Sequence, residues 1–380
     1  MKISADKQTL LGAIVPASGF ASRKGTIDVV EGILFNTVGT DKCEVKAYDL
    51  EKGFVKEMGC RVDEPGCYSI NAPRLVQVIK TMPEGTISIA VNEKNLRVII
   101  SGGRSVMELS ALPGDKFPLF PDFVGDRAFR ISQKSLKNMF SKTQFAIAEN
   151  SEKPELNGLF FKVNKEEIAA VSCDRNRIAI YSEKNNLTST GEKELNFSVI
   201  IPGKSVAEVI RFLNDTDKEI KVIIGIKHVI FMFDNFTVFT RVIDANYLDY
   251  ERFLPKAPKT FVTLNSNEII SSLERAMFIT EEKIQGQIKP AVICDFKQDM
   301  LTLFSQSTVG RINDEIPTEH DGDEIEIGFN CRLLYDAIKN TDTENVKLSL
   351  TSPLMGMLIE PLYETQNRHF TMLVLPVRLP

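Results

Sequence analysis

The chain contains no tryptophan and only three histidines, His228, His320 and His369, far apart in the sequence. A histidine base or metal set would need these distant segments to converge, so each reads as an exposed or internally satisfied side chain. Its six cysteines (Cys43, Cys60, Cys67, Cys173, Cys294 and Cys331) form no C-x-x-C pair. Neither a zinc knuckle nor a thiol redox site is supported, and buried free thiols in a reducing compartment are expected. No G-x-G-x-x-G, Walker A, G-x-S-x-G or H-E-x-x-H motif occurs, so phosphate loops, nucleophile elbows and zincin helices have no candidate. No apolar run approaches the roughly 20 residues that cross a bilayer. The opening MKISADKQTLLGAIV is amphipathic, interrupted by Asp6, Lys7 and Gln8, and lacks the continuous apolar stretch of a signal peptide. The expectation is a cytoplasmic protein with no membrane association, no cofactor and no metal.

What is present has the balance of a folded protein: 43% hydrophobic and 26% charged residues in a chain of 380. That length exceeds one ordinary core and implies two or three domains. The net charge of −5 argues at first against a nucleic-acid partner. Basic residues gathered on one surface can still attract phosphates in an acidic chain, because placement matters more than the sum.

Self-similarity is the most informative feature. Three segments open alike: MKISADKQTLLGAIVPAS from Met1, FRISQKSLKNMFSKTQFAIA from Phe129 and FVTLNSNEIISSLERAMFIT from Phe261. Each reads as a strand, a capping residue and a helix. A hairpin pattern follows in each copy (GILFNTVGTDKCEVKAYD, GLFFKVNKEEIAAVSCD, AVICDFKQDMLTLFSQS), then a second strand running into a helix (YSINAPRLVQVIKTM, FSVIIPGKSVAEVIRFL, IEIGFNCRLLYDAIKNT) and closing strands. The period is about 125 residues, the size of a domain rather than of a solenoid repeat. Proline-rich FPLFPDF and ERFLPKAPKTF mark the joins. The expected architecture is α+β, three tandem domains of the same topology, at 1–122, 129–254 and 260–380.

The second helix of each copy carries basic residues at recurring places. Lys80, Arg211 and Lys339 each follow an isoleucine, and Arg74, Lys204 and Arg332 precede them by six, seven and seven positions. Seven residues is close to two helical turns, so both charges share a face. The first helices add Lys134, Lys137 and Lys142 in copy two and Arg275, aligned with Lys142, in copy three. Copy one contributes Arg23 and Lys24 beyond its first helix. One such face is an ordinary solvated helix surface. Recurrence in three copies of an acidic protein points to a basic lining that meets phosphates without reading base edges. No comparable pattern nominates a catalytic pair: the acidic run Asp321, Asp323, Glu324 and Glu326 reads as a solvated edge. A three-domain, carboxylate-dependent hydrolase is the alternative of a different class, and a monomeric scaffold a third.

The repetition, together with TQFAIA at Thr143, LNGLFF at Leu156, SCDRNRIA at Ser172, IGFN at Ile327 and the terminal LVLPVRL, resembles the bacterial DNA polymerase III beta subunit family over the whole chain. The resemblance implies the DNA clamp fold: a head-to-tail dimeric ring with helices inside and sheets outside, encircling duplex DNA without sequence preference and performing no catalysis. It implies the inward cations named above and ring-closing edges at Met107 and Leu109 against Phe278 and Ile279. It also implies a cleft between the second and third domains that takes short Leu/Phe-rich peptides from the replicative polymerase, the clamp loader and repair polymerases or ligase. Carried over by position, that cleft comprises Leu156, Cys173, Arg175, Ile178, Leu248, Arg252, Phe253, Leu333, Leu354, Gly356, Leu373, Val374, Leu375, Pro376, Val377, Arg378 and Leu379. The family usually has a small residue where Arg175 stands and often a proline where Leu248 stands, two departures that fall within the peptide cleft.

Overall fold

The computed structural model describes residues 1–23, 27–184, 187–280, 290–362 and 368–379. Among them are six α-helices: α1 (Lys7–Ser18), α2 (Ala72–Thr81), α3 (Gln133–Thr143), α4 (Gly203–Phe212), α5 (Ser266–Thr280) and α6 (Cys331–Lys339). Each begins where a strand ends; at four of the six a short polar side chain caps the first turn, whereas α4 follows Pro202, which makes no side-chain cap bond. Asp6 accepts from the Gln8 amide, Asn71 from Arg74, Asn265 from Asn267 and Glu268, and Asn330 from Arg332 and Leu333. These bonds satisfy amides that the first helical turn leaves open.

The threefold plan read from the sequence is present, with one refinement. Where a hairpin is expected, each copy has a three-stranded antiparallel meander. The strands are Gly32–Val38, Lys42–Tyr48 and Lys52–Gly59; Gly158–Val163, Glu167–Cys173 and Arg177–Lys184; and Val292–Lys297, Met300–Ser307 and Gly310–Pro317. The third strands are less regular in their apolar alternation (KGFVKEMG, GRINDEIP), which hides them from a period-two search.

These third strands decide how the copies join. Lys52–Gly59 pairs antiparallel with Phe236–Arg241, the last strand of copy two, in the register Val238↔Phe54. Arg177–Lys184 pairs antiparallel with Arg368–Val374, the last strand of copy three, in the register Ile180↔Thr371. The rule is the same at both joins: the third meander strand of one copy hydrogen-bonds the last strand of the next.

In consequence the chain packs as two compact units whose boundary divides the middle copy. One unit comprises Met1–Gln133, Leu187–Leu195 and Thr216–Val242 and contains a 14-stranded sheet. Its core at the join is aromatic. Phe239 is fully buried, 5.3 Å from the Tyr48 ring, 5.0 Å from Phe120 and 5.5 Å from Phe123. The proline-rich segment FPLFPDF is therefore pinned by its phenylalanines to this core, while Leu119 between them faces solvent.

The second unit comprises Lys134–Asn186, Asn196–Asp215 and Ile243–Pro380, with a nine-stranded and a four-stranded sheet. All six cysteines are free thiols, five of them buried. No helix among the described residues is long and apolar enough to cross a membrane.

Candidate functional site

Two sets of residues recur as candidates, the helix cations and the apolar wall near the C-terminus. The cations on the second helix of each copy occupy one structural position. Lys80, Arg211 and Lys339 each stand nine places after the capping residue (71 to 80, 202 to 211, 330 to 339). Lys204 and Arg332 both stand two places after it, whereas Arg74 stands three. The opposite face of each helix is buried, through Leu75, Val78 and Ile79 in α2, Val206 and Val209 in α4, and Leu334, Tyr335 and Ile338 in α6. All six cations lie on the exposed side. Arg211 is 3.2 Å from Glu208, Arg332 is 3.2 Å from Asp336, and the Lys339 ammonium donates to the Tyr335 hydroxyl at 2.8 Å.

The first helices behave differently. Lys142 and Arg275 stand ten places after the ends of their strands (132 to 142, 265 to 275), where α1 has Pro16. Lys142 is only 18% exposed; its ammonium donates to the Asn340 carbonyl at 2.7 Å and lies 3.6 Å from Asp342. Burial pulls its pKa below the usual lysine value, with Asp342 acting in the opposite sense. Arg275 is clamped to Asp314 at 2.6 and 2.9 Å. Both cations are thus substantially neutralised within the chain. Lys137 is half-buried and Arg23 exposed, and Lys24 lies outside the described residues.

The second set converges on the nine-stranded sheet. Register places Cys173 opposite Ile178, Ile178 opposite Leu373 and Leu373 opposite Leu358, an apolar row across four strands. Leu156, Val171, Cys173, Ile178 and Leu373 form one buried cluster, onto which Tyr247, Leu248, Tyr250 and Phe160 pack half-buried. Cys173 receives the Arg175 amide on its sulfur at 3.4 Å, and burial pushes its thiol pKa up, so it stays protonated and apolar. Arg175 itself adopts φ +80°, in the left-handed region that favours glycine. Its exposed guanidinium reaches the Ser151 hydroxyl at 3.5 Å.

The tail divides at Pro376. Leu373 and Val374 complete the sheet and are buried. The Leu375 amide still donates to Asn176 at 2.8 Å, but Pro376 has no amide, and Val377 instead donates to Gly328 at 2.8 Å. Leu375 and Val377 are more than a third exposed, Arg378 is exposed, and Leu379 is half-buried. Two glycines allow these approaches: a Cβ on Gly356 would lie 2.5 Å from Leu373 and 3.1 Å from Leu375, and one on Gly328 would lie 2.6 Å from Leu379. Phe253 and Leu354 are prominently exposed at 58% and 75%, Arg252 pairs with Asp249 at 2.5 Å, and Leu333 is half-buried on α6.

Arg177 is a residue that sequence reasoning missed here. Its guanidinium is 2.8 Å from Asp174, 3.0 Å from Asp336 on α6 and 2.7 Å from the Phe145 carbonyl. It ties the strand carrying Ile178 to the helix carrying Leu333. The only sequence trace of this is the D-R-N-R turn, whose Asp174 and Arg177 sit three apart.

Models of the DNA polymerase III beta subunit match three successive stretches: the N-terminal domain at residues 1–121, the central domain at 130–249 and the C-terminal domain at 251–378. The chain belongs to the DNA polymerase III beta subunit family. It is 27% identical to the beta sliding clamp of Escherichia coli K12 and 26% identical to that of Bacillus subtilis, covering all of both chains in each case. A crystal structure of the Bacillus subtilis polymerase sliding clamp superposes with a TM-score of 0.91 at 24% identity, and one of the Pseudomonas aeruginosa sliding clamp bound to griselimycin with 0.89 at 25%, both over the full length of each chain. Beta subunits are sliding clamps, non-catalytic processivity subunits of DNA polymerase III, and the three-domain clamp fold agrees with the α+β plan read from the repeats. The carboxylate-dependent hydrolase is set aside on this ground.

Proposed function

We propose that this beta subunit closes as a head-to-tail homodimer around duplex DNA in the cytoplasm, built from domains at 1–122, 129–254 and 260–380. One observation carries the reading. The joining rule used twice within the chain leaves two strands over: among the described residues, Gly310–Pro317 is a third meander strand with a free edge, and Ser105–Pro113 is a last strand whose first half pairs only with Arg97–Gly102. Applied between two copies, the rule joins those edges and repeats to closure, a heterologous contact that leaves no open end. Met107 and Leu109 lie on the second edge, with Met107 45% exposed; Phe278, 81% exposed, and Ile279 lie on α5, with Ile279 3.5 Å from the position of a Cβ on Gly310.

Within such a ring, Arg23, Arg74, Lys80, Lys137, Lys204, Arg211, Arg332 and Lys339 form the phosphate-facing surface, with Lys142 and Arg275 contributing less because neighbours already neutralise them. Retention is topological, so each phosphate contact stays weak and exchangeable, as sliding requires. The wall around Ile178, Leu373 and Leu375 takes Leu and Phe anchors of short peptides from the replicative polymerase, the clamp loader and repair enzymes. The test uses a nicked circular plasmid incubated with the protein and passed over a sizing column before and after linearisation. The ring reading expects retention on the circle and loss from the cut ends; equal retention on both would overturn it.

A further inference from the structure

Leu248, which packs on the apolar wall, also lines a recess of about 330 Å³, whose other walls include Phe160, Lys162, Asp249, Tyr250 and Glu251. That volume is at the small end of ligand pockets and suits one or two side chains rather than a whole ligand. Its walls are aromatic: Phe160 stacks on Tyr247 at 4.7 Å with 10° between planes, and Tyr250 meets Phe160 edge-on at 6.5 Å. The same Phe160, Leu248 and Tyr250 pack against the buried cluster beneath the cleft, so cleft and recess share one wall.

The rim is acidic beyond its internal pairs. Asp249 is held by Arg252 at 2.5 Å and Lys162, which also lines the recess, lies 3.9 Å from Glu167, while Glu251 is exposed and has no ion pair within 4 Å among the described residues. Burial, with Glu251, Glu167 and Asp249 nearby, pushes the Tyr250 hydroxyl up to about 12, so the phenol stays neutral in a negative field. A carboxylate without a partner beside an aromatic face is a place for an ammonium or guanidinium, which gains from both at once.

We propose that peptides anchored in the cleft continue across Leu248 and set a flanking lysine or arginine into this recess, its cation between Glu251 and the Tyr250 ring. The inference rests on the cleft reading and adds to it a charge preference. An exposed ion pair and a cation–π contact together are worth roughly 3- to 10-fold in affinity. The ion-pair share shrinks with salt.

The experiment is fluorescence anisotropy on the full chain with fluorescein-labelled peptides. All share one Leu/Phe anchor core and carry two lysines, two serines or two glutamates at one end or the other. The lysine flank at one end is expected to bind about 3- to 10-fold tighter than serine, the glutamate flank weaker. The gain should vanish in Glu251→Gln and fade in high salt, while the serine peptide binds the variant as it binds the native chain. Equal affinities, a preference for glutamate, or a lysine gain that survives Glu251→Gln overturns this inference and leaves the cleft standing. Failure of the serine peptide itself to bind overturns the cleft reading and this inference with it.

Discussion

Arg177 offers the sharpest test of how the cleft is held. Replacing it by Met keeps an unbranched stem and removes the charge. The side chain is 11% exposed, between Asp174 at 16% and Asp336 at 21%, and its guanidinium also lies 5.0 Å from the Phe145 ring centroid. Hydrogen bonds to charged groups are worth about 1.5–3 kcal/mol each, and breaking a buried pair from one side costs about 3–5 kcal/mol. Neither carboxylate is orphaned by the change, since Asp336 keeps Arg332 at 3.2 Å and Asp174 keeps the Asn176 amide at 3.1 Å. The loss should therefore fall near 2–4 kcal/mol. For a unit of about 200 residues this lowers its melting temperature by roughly 5–12 °C. Differential scanning calorimetry should show the drop in the transition of the unit that contains α6. A double-mutant cycle with Asp336→Asn should give a coupling of at least about 1 kcal/mol. A shift below about 1 °C, or an additive cycle, would refute the claim that this cation fastens α6 to the sheet.

Three further outcomes follow from the same geometry. Changing Lys80, Arg211 and Lys339 together to Ala removes six cations per dimer and should lower the slope of log affinity for duplex DNA against log salt by up to about 5; an unchanged slope in anisotropy titrations would show that this face does not meet phosphates. Phe278→Asp puts a charge on an 81% exposed ring beside the free edge and should weaken self-association at least about 10-fold in sedimentation velocity while leaving melting within about 1 kcal/mol, whereas unaltered association would place the interface elsewhere. Gly356→Ala drives a methyl to within 2.5 Å of Leu373 and 3.1 Å of Leu375, so it should cost about 1–3 kcal/mol of stability and reduce Leu/Phe peptide affinity, and wild-type affinity would separate the Leu373–Leu375 wall from the ligand site.

The sequence by itself determined what depends on neighbours along the chain. The threefold order of strand and helix is local, set by apolar period, by Asp6, Asn71, Asn265 and Asn330 as caps, and by turn residues, and it is present as read. So is the exposed basic face of α2, α4 and α6, because a helix that buries Val78, Val209 or Ala337 turns Lys80, Arg211 or Lys339, two places on, outward. The motifs of the resemblance carried the apolar row of Cys173, Ile178 and Leu373 as well. Only the tertiary structure decided which strand edges meet. Backbone hydrogen bonding between strands carries no side-chain signature that survives a separation of 180 residues, so neither the pairing of Lys52–Gly59 with Phe236–Arg241 nor the division of the middle copy between two units could be read in advance. The same holds for charge. Lys80, Lys142 and Arg275 look alike as letters, but Lys142 meets Asn340 and Asp342, and Arg275 meets Asp314, through folding alone. An ionic side chain acquires its worth from the partners and solvent around it, and those are fixed only when distant segments come together.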